Sequence, residues 1–356
     1  MSWVFAPVAI LQPARYPSPL PQQPDYRKFM PDDTPNRLAA FHDLEPALED
    51  FGEAVMAGLS SEPKTLPCKF FYDQKGSQIF DRICDLAEYY PTRTEIGLLQ
   101  DKSAEMADLF GPDCHVIEFG SGSSVKIRTL LDALDAPVGY TALDISRDHL
   151  LQAAESLADA YPDVPVVAVC ADFTRPFDLP NVFEGAARRL GFFPGSSIGN
   201  FTRAEAAGFL EASRKILTGP DAGFVVGVDL RKDPALLNAA YNDSRGVTAA
   251  FNLNLLTRAN RELGADFDIE GFRHHAFYNE EEGRIEMHLI STSAQEVSIG
   301  ERRISFAADE TIHTENSYKY APEEFQDIAR AAGYRPERLW IDENNLFSLH
   351  YLLVDG

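Results

Sequence analysis

Three carboxylates stand at the ends of successive apolar runs: Glu118 in HVIEFG, Asp144 in GYTALDIS and Asp172 in VPVVAVCADF. A carboxylate at the end of a buried strand can accept hydrogen bonds from the hydroxyl or amino groups of a nucleoside. Between the first two acids lies Gly120-Ser121-Gly122. A helical stretch follows, with Ile127, Leu130, Leu131 and Leu134 on one face. Glycine admits positive φ and lets a ligand approach the backbone closely. Taken singly, each acid reads better as a solvated strand-end residue. Their recurrence at successive strand ends favours a site.

What the loop lacks narrows its ligand. A P-loop requires G-x-x-x-x-G-K-[ST], whereas Lys126 stands between Val125 and Ile127. The dinucleotide fingerprint requires a third glycine where Val125 stands. A nucleoside cofactor without phosphate fits better, and S-adenosylmethionine is such a cofactor. In that reading Asp144, 22 positions after Gly122, accepts from the ribose hydroxyls. Asp172 accepts from the adenine amino group, Phe173 offers its backbone N–H and Glu118 orients the loop. Lys126 is either a surface helix lysine or a partner for the cofactor's carboxylate.

These residues need a scaffold of strands alternating with helices. The runs HVIEFG, GYTALDIS, VPVVAVCADF, FFPGSSIG and GFVVGVDL read as buried strands, separated by stretches such as RDHLLQAAESLADAY and RAEAAGFLEASRKIL. That alternation predicts an α/β fold with a doubly wound, mostly parallel, Rossmann-like sheet. ERLWIDENNLFSLHYLLV predicts two further strands closing its edge. Residues 233–319 break the rhythm: two helices lead into a series of strand-like runs, an α+β pattern. The expected organisation is a methyltransferase domain of residues 41–232 and 320–356, with 233–319 inserted as a substrate-binding domain. Helical spacing of Leu44, Leu48, Phe51, Val55 and Leu59 predicts a helix over 44–59. Residues 1–40 hold 8 of the 23 prolines and predict a weakly ordered tail, in which Met30 is an alternative start.

Composition bounds the partners. With 55 acidic against 32 basic residues the net charge is −23, which opposes nucleic-acid binding. No apolar run is long enough to span a membrane. Cys68, Cys84, Cys114 and Cys170 form no C-x-x-C pair, and in a chain of this size they read as reduced thiols of a cytoplasmic protein. His274, His275 and His313 show no metal-ligand spacing, so no metal is expected. The expected partner is a small molecule bound by a monomer.

Longer motifs carry a resemblance. FFYDQKGSQIFDRICDLAEYYPTRTE, EFGSGSSVKIRTLLDAL, GSSIGNFT, DLRKDPALLNAAYND, GVTAAFNLNLLTRANRELGADFD, RIEMHL and HTENSYKY together resemble the histidine Nα-methyltransferases of ergothioneine biosynthesis, from about residue 45 to the end. The resemblance implies trimethylation of the α-amino group of L-histidine to hercynine. It implies Gly120, Lys126, Asp144, Asp172 and Phe173 at the cofactor, with Tyr89, Asn200 and Tyr241 at the carboxylate and amino end of the substrate. It places Tyr72 near the amine, Glu315 and Ser317 at the imidazole, and Met287 beside the ring. Relatives acting on tryptophan or other amino acids share the fold, with Glu315 favouring a polar ring over indole, and a nucleotide-binding regulatory protein is the non-enzyme alternative.

The residues are compatible with that chemistry. Glu315 and Ser317, at i and i+2 of a strand, face one side, where a carboxylate and a hydroxyl can serve the two nitrogens of one ring. Met287 alone reads as core. Tyr72, Tyr89, Phe71 and Phe80 suit either core packing or a pocket for a quaternary ammonium product. Methyl transfer to a neutral amine creates a cation, so no strong base is obligatory. Orientation, by Tyr72 and Asn200, is expected to carry catalysis.

Overall fold

The computed structural model describes residues 37–44, 51–122, 125–175, 177–180, 183 and 186–355. The chain begins with β1 (Ala40–Asp43), α1 (Phe51–Leu59), β2 (Lys64–Thr65), α2 (Gln74–Cys84) and α3 (Tyr90–Phe110). The alternation follows: β3 (Cys114–Phe119), α4 (Val125–Leu131), β4 (Gly139–Asp144), α5 (Arg147–Ala160), β5 (Val166–Cys170), β6 (Arg188–Phe193), α6 (Arg203–Ile216) and β7 (Gly223–Asp229). Then come α7 (Pro234–Tyr241), α8 (Val247–Leu263), β8 (Phe272–Asn279), β9 (Arg284–Ser291), β10 (Gln295–Ile299), β11 (Arg302–Phe306) and β12 (Thr311–Tyr318). The chain closes with α9 (Pro322–Ala331), β13 (Tyr334–Ile341) and β14 (Phe347–Val354).

Eight strands form one sheet in the order β1-β5-β4-β3-β6-β7-β14-β13. All neighbours are parallel except β14, which runs antiparallel to β7 and β13. The fold is thus the expected doubly wound α/β sheet with a C-terminal hairpin. β3, β5 and β7 are buried along their whole length, as a sheet covered by helices on both faces requires. Strand order reverses between β3 and β6, the crevice where open sheets of this kind bind ligands.

A second sheet, β2-β12-β9-β8, lies in a separate core. That core joins Val55, Phe71 and Ile83 to Leu255, Met287 and Ile312, so residues 51–90 pack with residues 237–312. Helix α8 starts over Asp243, whose carboxylate accepts the N–H groups of Val247 and Thr248 at 2.9 and 2.7 Å, filling acceptors that a helix start lacks. Helix α6 opens on a Thr202–Glu205 capping box.

Two local expectations fail. Leu44 is not helical: it follows β1 and donates its N–H to Cys170, because pairing with β5 claims this segment; Phe51–Leu59 is helical as expected. Leu48 lies outside the described residues. The stretch FFPGSSIG is strand only to Phe193; Ser197–Asn200 forms a 3-10 turn. No helix among the described residues is long and apolar enough to cross a membrane.

Candidate active site

The carboxyl ends of β3, β4 and β5 open onto a cleft of about 1680 Å³. Glu118, Gly120, Gly122, Lys126, Asp144, Asp172 and Phe173 line one side of it, as the loop reading expects. Gly120 has φ +76°, the left-handed region that glycine enters at no cost. Ser121 departs from the group. It is buried, its hydroxyl lies 3.3 Å from Tyr140 Oη, and it is not among the lining residues.

Burial raises Asp144 to about 6 against the N–H of Ser146, which donates to its Oδ1 at 2.8 Å. Burial also raises Glu118 to about 8, although the Tyr140 hydroxyl donates to it and opposes the shift. Asp172 accepts from the Thr174 N–H at 3.1 Å, which fixes the turn carrying Phe173. These residues fit S-adenosylmethionine: a backbone cradle free of side chain at Gly120 with the Phe173 ring beside it, and an acid at the second strand end.

Lys126 is neither a surface residue nor free. Its Nζ lies 2.6 Å from Oε2 of Glu95, a wholly buried carboxylate of α3. Both Glu95 oxygens also lie 2.9 Å from the N–H of Gly195, in the turn that precedes Asn200. A Cβ on Gly227 would stand 2.2 Å from Glu95 Oε1, so only glycine leaves this carboxylate room against β7.

The far wall of the cleft carries Tyr72, Tyr89, Asn200 and Glu315. There it narrows into an inner cavity of about 60 Å³, which Tyr241, Met287, Ser317 and Lys319 also line. The structure therefore brings together all seven substrate residues expected from the sequence. Tyr72 is held by the next residue: Asp73 caps α2 and accepts from Asn254 Nδ2 and Arg261 Nη2 of α8, at 2.9 and 2.5 Å. Its ring meets Phe80 and Phe251 edge-on at 5.6 and 5.7 Å, and Tyr89 meets Tyr241 at 6.1 Å. These faces suit a cation.

Glu315 and Met287 are direct partners across β12 and β9, and both are buried. Burial raises Glu315 to about 7, and Lys319 acts against that rise. Among the described residues no side chain hydrogen-bonds its carboxylate. A buried carboxylate without a donor is costly to keep, so its place is that of a group awaiting a ligand N–H.

Beneath the cavity lies a charge network that sequence reasoning missed. Asp229, Lys232, Lys319 and Tyr90 meet there, with Asp229 and Lys319 almost wholly buried. Burial alone would raise Asp229; the two ammonium groups hold it below the usual carboxylate range. Burial lowers Lys232 to about 8. Only the residue types in DLRKD and SYKY hinted at these groups, since 90 positions separate Asp229 from Lys319.

On the second sheet Glu286, His288 and His313 approach one another within 4.8 Å. Glu286 Oε1 accepts from Arg284 and Asn279, and its Oε2 lies 3.0 Å from His288 Nε2. The two imidazoles stack at 4.7 Å with 15° between their planes, so one ion cannot lie in both ring planes.

A family model described as "Histidine-specific methyltransferase, SAM-dependent" matches residues 51–354. The chain belongs to this family. As a member it is an S-adenosylmethionine-dependent methyltransferase. It is 42% identical to the histidine N-alpha-methyltransferase of Mycolicibacterium smegmatis, over 88% of this chain and 97% of that protein. It is 34% identical to ergothioneine biosynthesis protein 1 of Neurospora crassa, over 82% of this chain and 33% of that longer protein. A 4-dimethylallyltryptophan N-methyltransferase of Arthroderma benhamiae is 31% identical over 83% of this chain and 91% of that protein. The relatives thus include enzymes named for two different side chains.

Proposed function

We propose that this methyltransferase transfers methyl groups to the α-amino nitrogen of L-histidine, three in succession, to give hercynine for ergothioneine synthesis. The observation that carries the substrate is Glu315: a buried carboxylate without a side-chain donor, sharing an inner cavity with the Ser317 hydroxyl and Met287. Such a site rewards a ring with polar nitrogens and penalises an apolar one, because its own groups would be left unpaired. Tryptophan derivatives, the substrates named for some relatives, offer one N–H and a larger apolar surface.

S-adenosylmethionine, when bound, supplies an electrophilic methyl group on a sulfonium. Asp144, Asp172, Phe173, Glu118, Lys126 and the Gly120–Gly122 backbone would hold it at the strand ends. Asn200, Tyr89 and Tyr241 would hold the carboxylate and amino end of the amino acid, with Tyr72 at the amine. Burial keeps the Tyr89 hydroxyl above the ordinary phenol range, so it acts as a neutral donor and not as a base. The residues' contribution is to fix the nitrogen's approach while the ring stays held, which is worth more than acid–base assistance for an amine that attacks uncharged. Residues 51–90 together with 233–319 form the substrate side in this reading. The four cysteines are all free, which supports a reducing, cytoplasmic setting.

The test is incubation with S-adenosylmethionine and an equimolar mixture of the standard amino acids, followed by mass spectrometry. Histidine should gain one, two and then three methyl groups. Methylation of another amino acid in preference to histidine would overturn the assignment.

A further inference from the structure

Lys319 Nζ has three protons and three partners. Asp229 Oδ2 lies at 2.9 Å, Ser317 Oγ at 2.8 Å and Tyr241 Oη at 3.1 Å. An ammonium is a donor only, so both hydroxyl oxygens receive a hydrogen bond from it. No proton of Lys319 is left for a ligand. Its effect on the cavity passes through Ser317 and Tyr241.

Those two hydroxyls are themselves 2.8 Å apart, so one donates to the other. The phenol is the stronger acid and the alcohol the better acceptor, which makes Tyr241 the donor. Ser317 then accepts from both Lys319 and Tyr241, and a hydroxyl has two acceptor sites. Both are filled. Ser317 can only donate into the cavity, to a bare nitrogen. Glu315, two residues earlier on the same strand, can only accept while ionised. The pair is complementary to a ring with one N–H and one unprotonated nitrogen.

We propose that Lys319 is a positioning residue that polarises the Tyr241–Ser317 pair, so that the site takes the neutral imidazole of its amino-acid substrate and refuses the imidazolium. This rests on the histidine reading. A doubly protonated ring would aim its second N–H at an oxygen with no free lone pair, beside a buried ammonium. The charged groups around the cavity are Glu315 on β12, Lys319 immediately after it, Asp229 at the end of β7, and Lys232 before α7. The titratable phenols are Tyr72, Tyr89, Tyr90 and Tyr241.

The experiment compares kcat/KM for histidine and for 1,2,4-triazolylalanine between pH 5 and 8. Triazolylalanine keeps an N–H and bare nitrogens but stays neutral throughout. The two substrates share the α-amine and meet the same enzyme groups, so the ratio isolates the ring. In the wild type the histidine/triazolylalanine ratio should fall about tenfold per pH unit below about 6.5, the ordinary imidazole pKa. In Lys319→Met, which frees a lone pair on Ser317 and leaves Asp229 paired with Lys232, the ratio should be nearly flat. Tyr241→Phe frees the other lone pair and should flatten it too, which keeps the test decisive if Lys319→Met does not fold. A ratio constant with pH in a wild type that methylates histidine would overturn the proposal and leave the substrate reading standing. So would an undiminished acid-side fall in both variants. Failure to methylate histidine at pH 8 would overturn the substrate reading, and this proposal with it.

Discussion

Glu95, wholly buried, and Lys126, at the cleft wall, form an ion pair of 2.6 Å between α3 and the first turn of α4, and Glu95 also accepts from the Gly195 N–H. One carboxylate therefore ties the helix behind the glycine loop to the turn that carries Asn200. Removing one partner of a buried pair leaves a charge without compensation, at a cost of about 3–5 kcal/mol. Glu95→Ala is expected to lower stability by about that amount in denaturant titration. Lys126→Met should weaken S-adenosylmethionine binding in calorimetry as well, since the proposed site loses its cation. Wild-type stability in Glu95→Ala would show that the pair contributes nothing.

Asp144 gives a pH dependence to cofactor binding. Burial raises its carboxyl to about 6, so the ionised acceptor is present above that pH and is lost as pH falls through it. Affinity for S-adenosylmethionine should decline in the wild type from pH 7 to pH 5. Asp144→Ala should bind about tenfold or more weakly at pH 8, the scale of a hydrogen bond to a charged group, and lose the acid-side decline. A mutant with unchanged affinity would remove Asp144 from the site.

Glu315 should cost stability and supply selectivity. Its carboxyl is raised from 4.5 to about 7 in the folded chain. The folded state therefore binds the extra proton between these values. The stability this group permits is full below about 4.5 and is lost as pH rises through about 7. Glu315→Ala should raise the melting temperature at pH 8 relative to wild type, with the advantage shrinking toward pH 5. The same variant should lose at least about tenfold in kcat/KM for histidine and discriminate less against tryptophan, with cofactor affinity near wild type. Full histidine activity and preference in Glu315→Ala would refute its role as ring reader.

Asn200 should behave differently from Glu315. It stands at the shared amino-acid end, so Asn200→Ala should raise KM for every accepted α-amino acid by a similar factor. Competition between histidine and tryptophan would then be unchanged. A shift in that competition would place Asn200 at the ring.

The N-terminus divides within a few residues. Leu38 is buried and β1 pairs with β5 at the sheet edge, whereas residues 1–36 lie outside the described residues. Deleting 1–36 should leave melting temperature and turnover nearly unchanged. Deleting 1–44 should lower the melting temperature, because it strips the edge of β5. A marked loss in the shorter deletion would assign the tail a role at the site or a contact.

The cofactor side was legible in the chain because its determinants are local. A parallel sheet delivers every strand's carboxyl end to one edge, so Glu118, Asp144 and Asp172 converge wherever the strands are recognised. Glycines at 120 and 122 and the capping residues Thr202 and Glu205 likewise act within a few positions of their partners. The resemblance of longer motifs then pointed to seven residues that the structure brings to one inner cavity, of which spacing alone left Met287 as core. Tertiary structure decided what depends on distant charges meeting in one buried volume. Glu95 lies 31 positions from Lys126, and Asp229 lies 90 from Lys319; nothing in either neighbourhood distinguishes these from solvated residues. It also decided that residues 51–90 pack in the second core, and that Leu44 follows a strand and bonds to Cys170 instead of starting a helix. In the first case burial against a distant element, and in the second a backbone hydrogen bond to Cys170, outweighs a local propensity worth less than about 1 kcal/mol per residue.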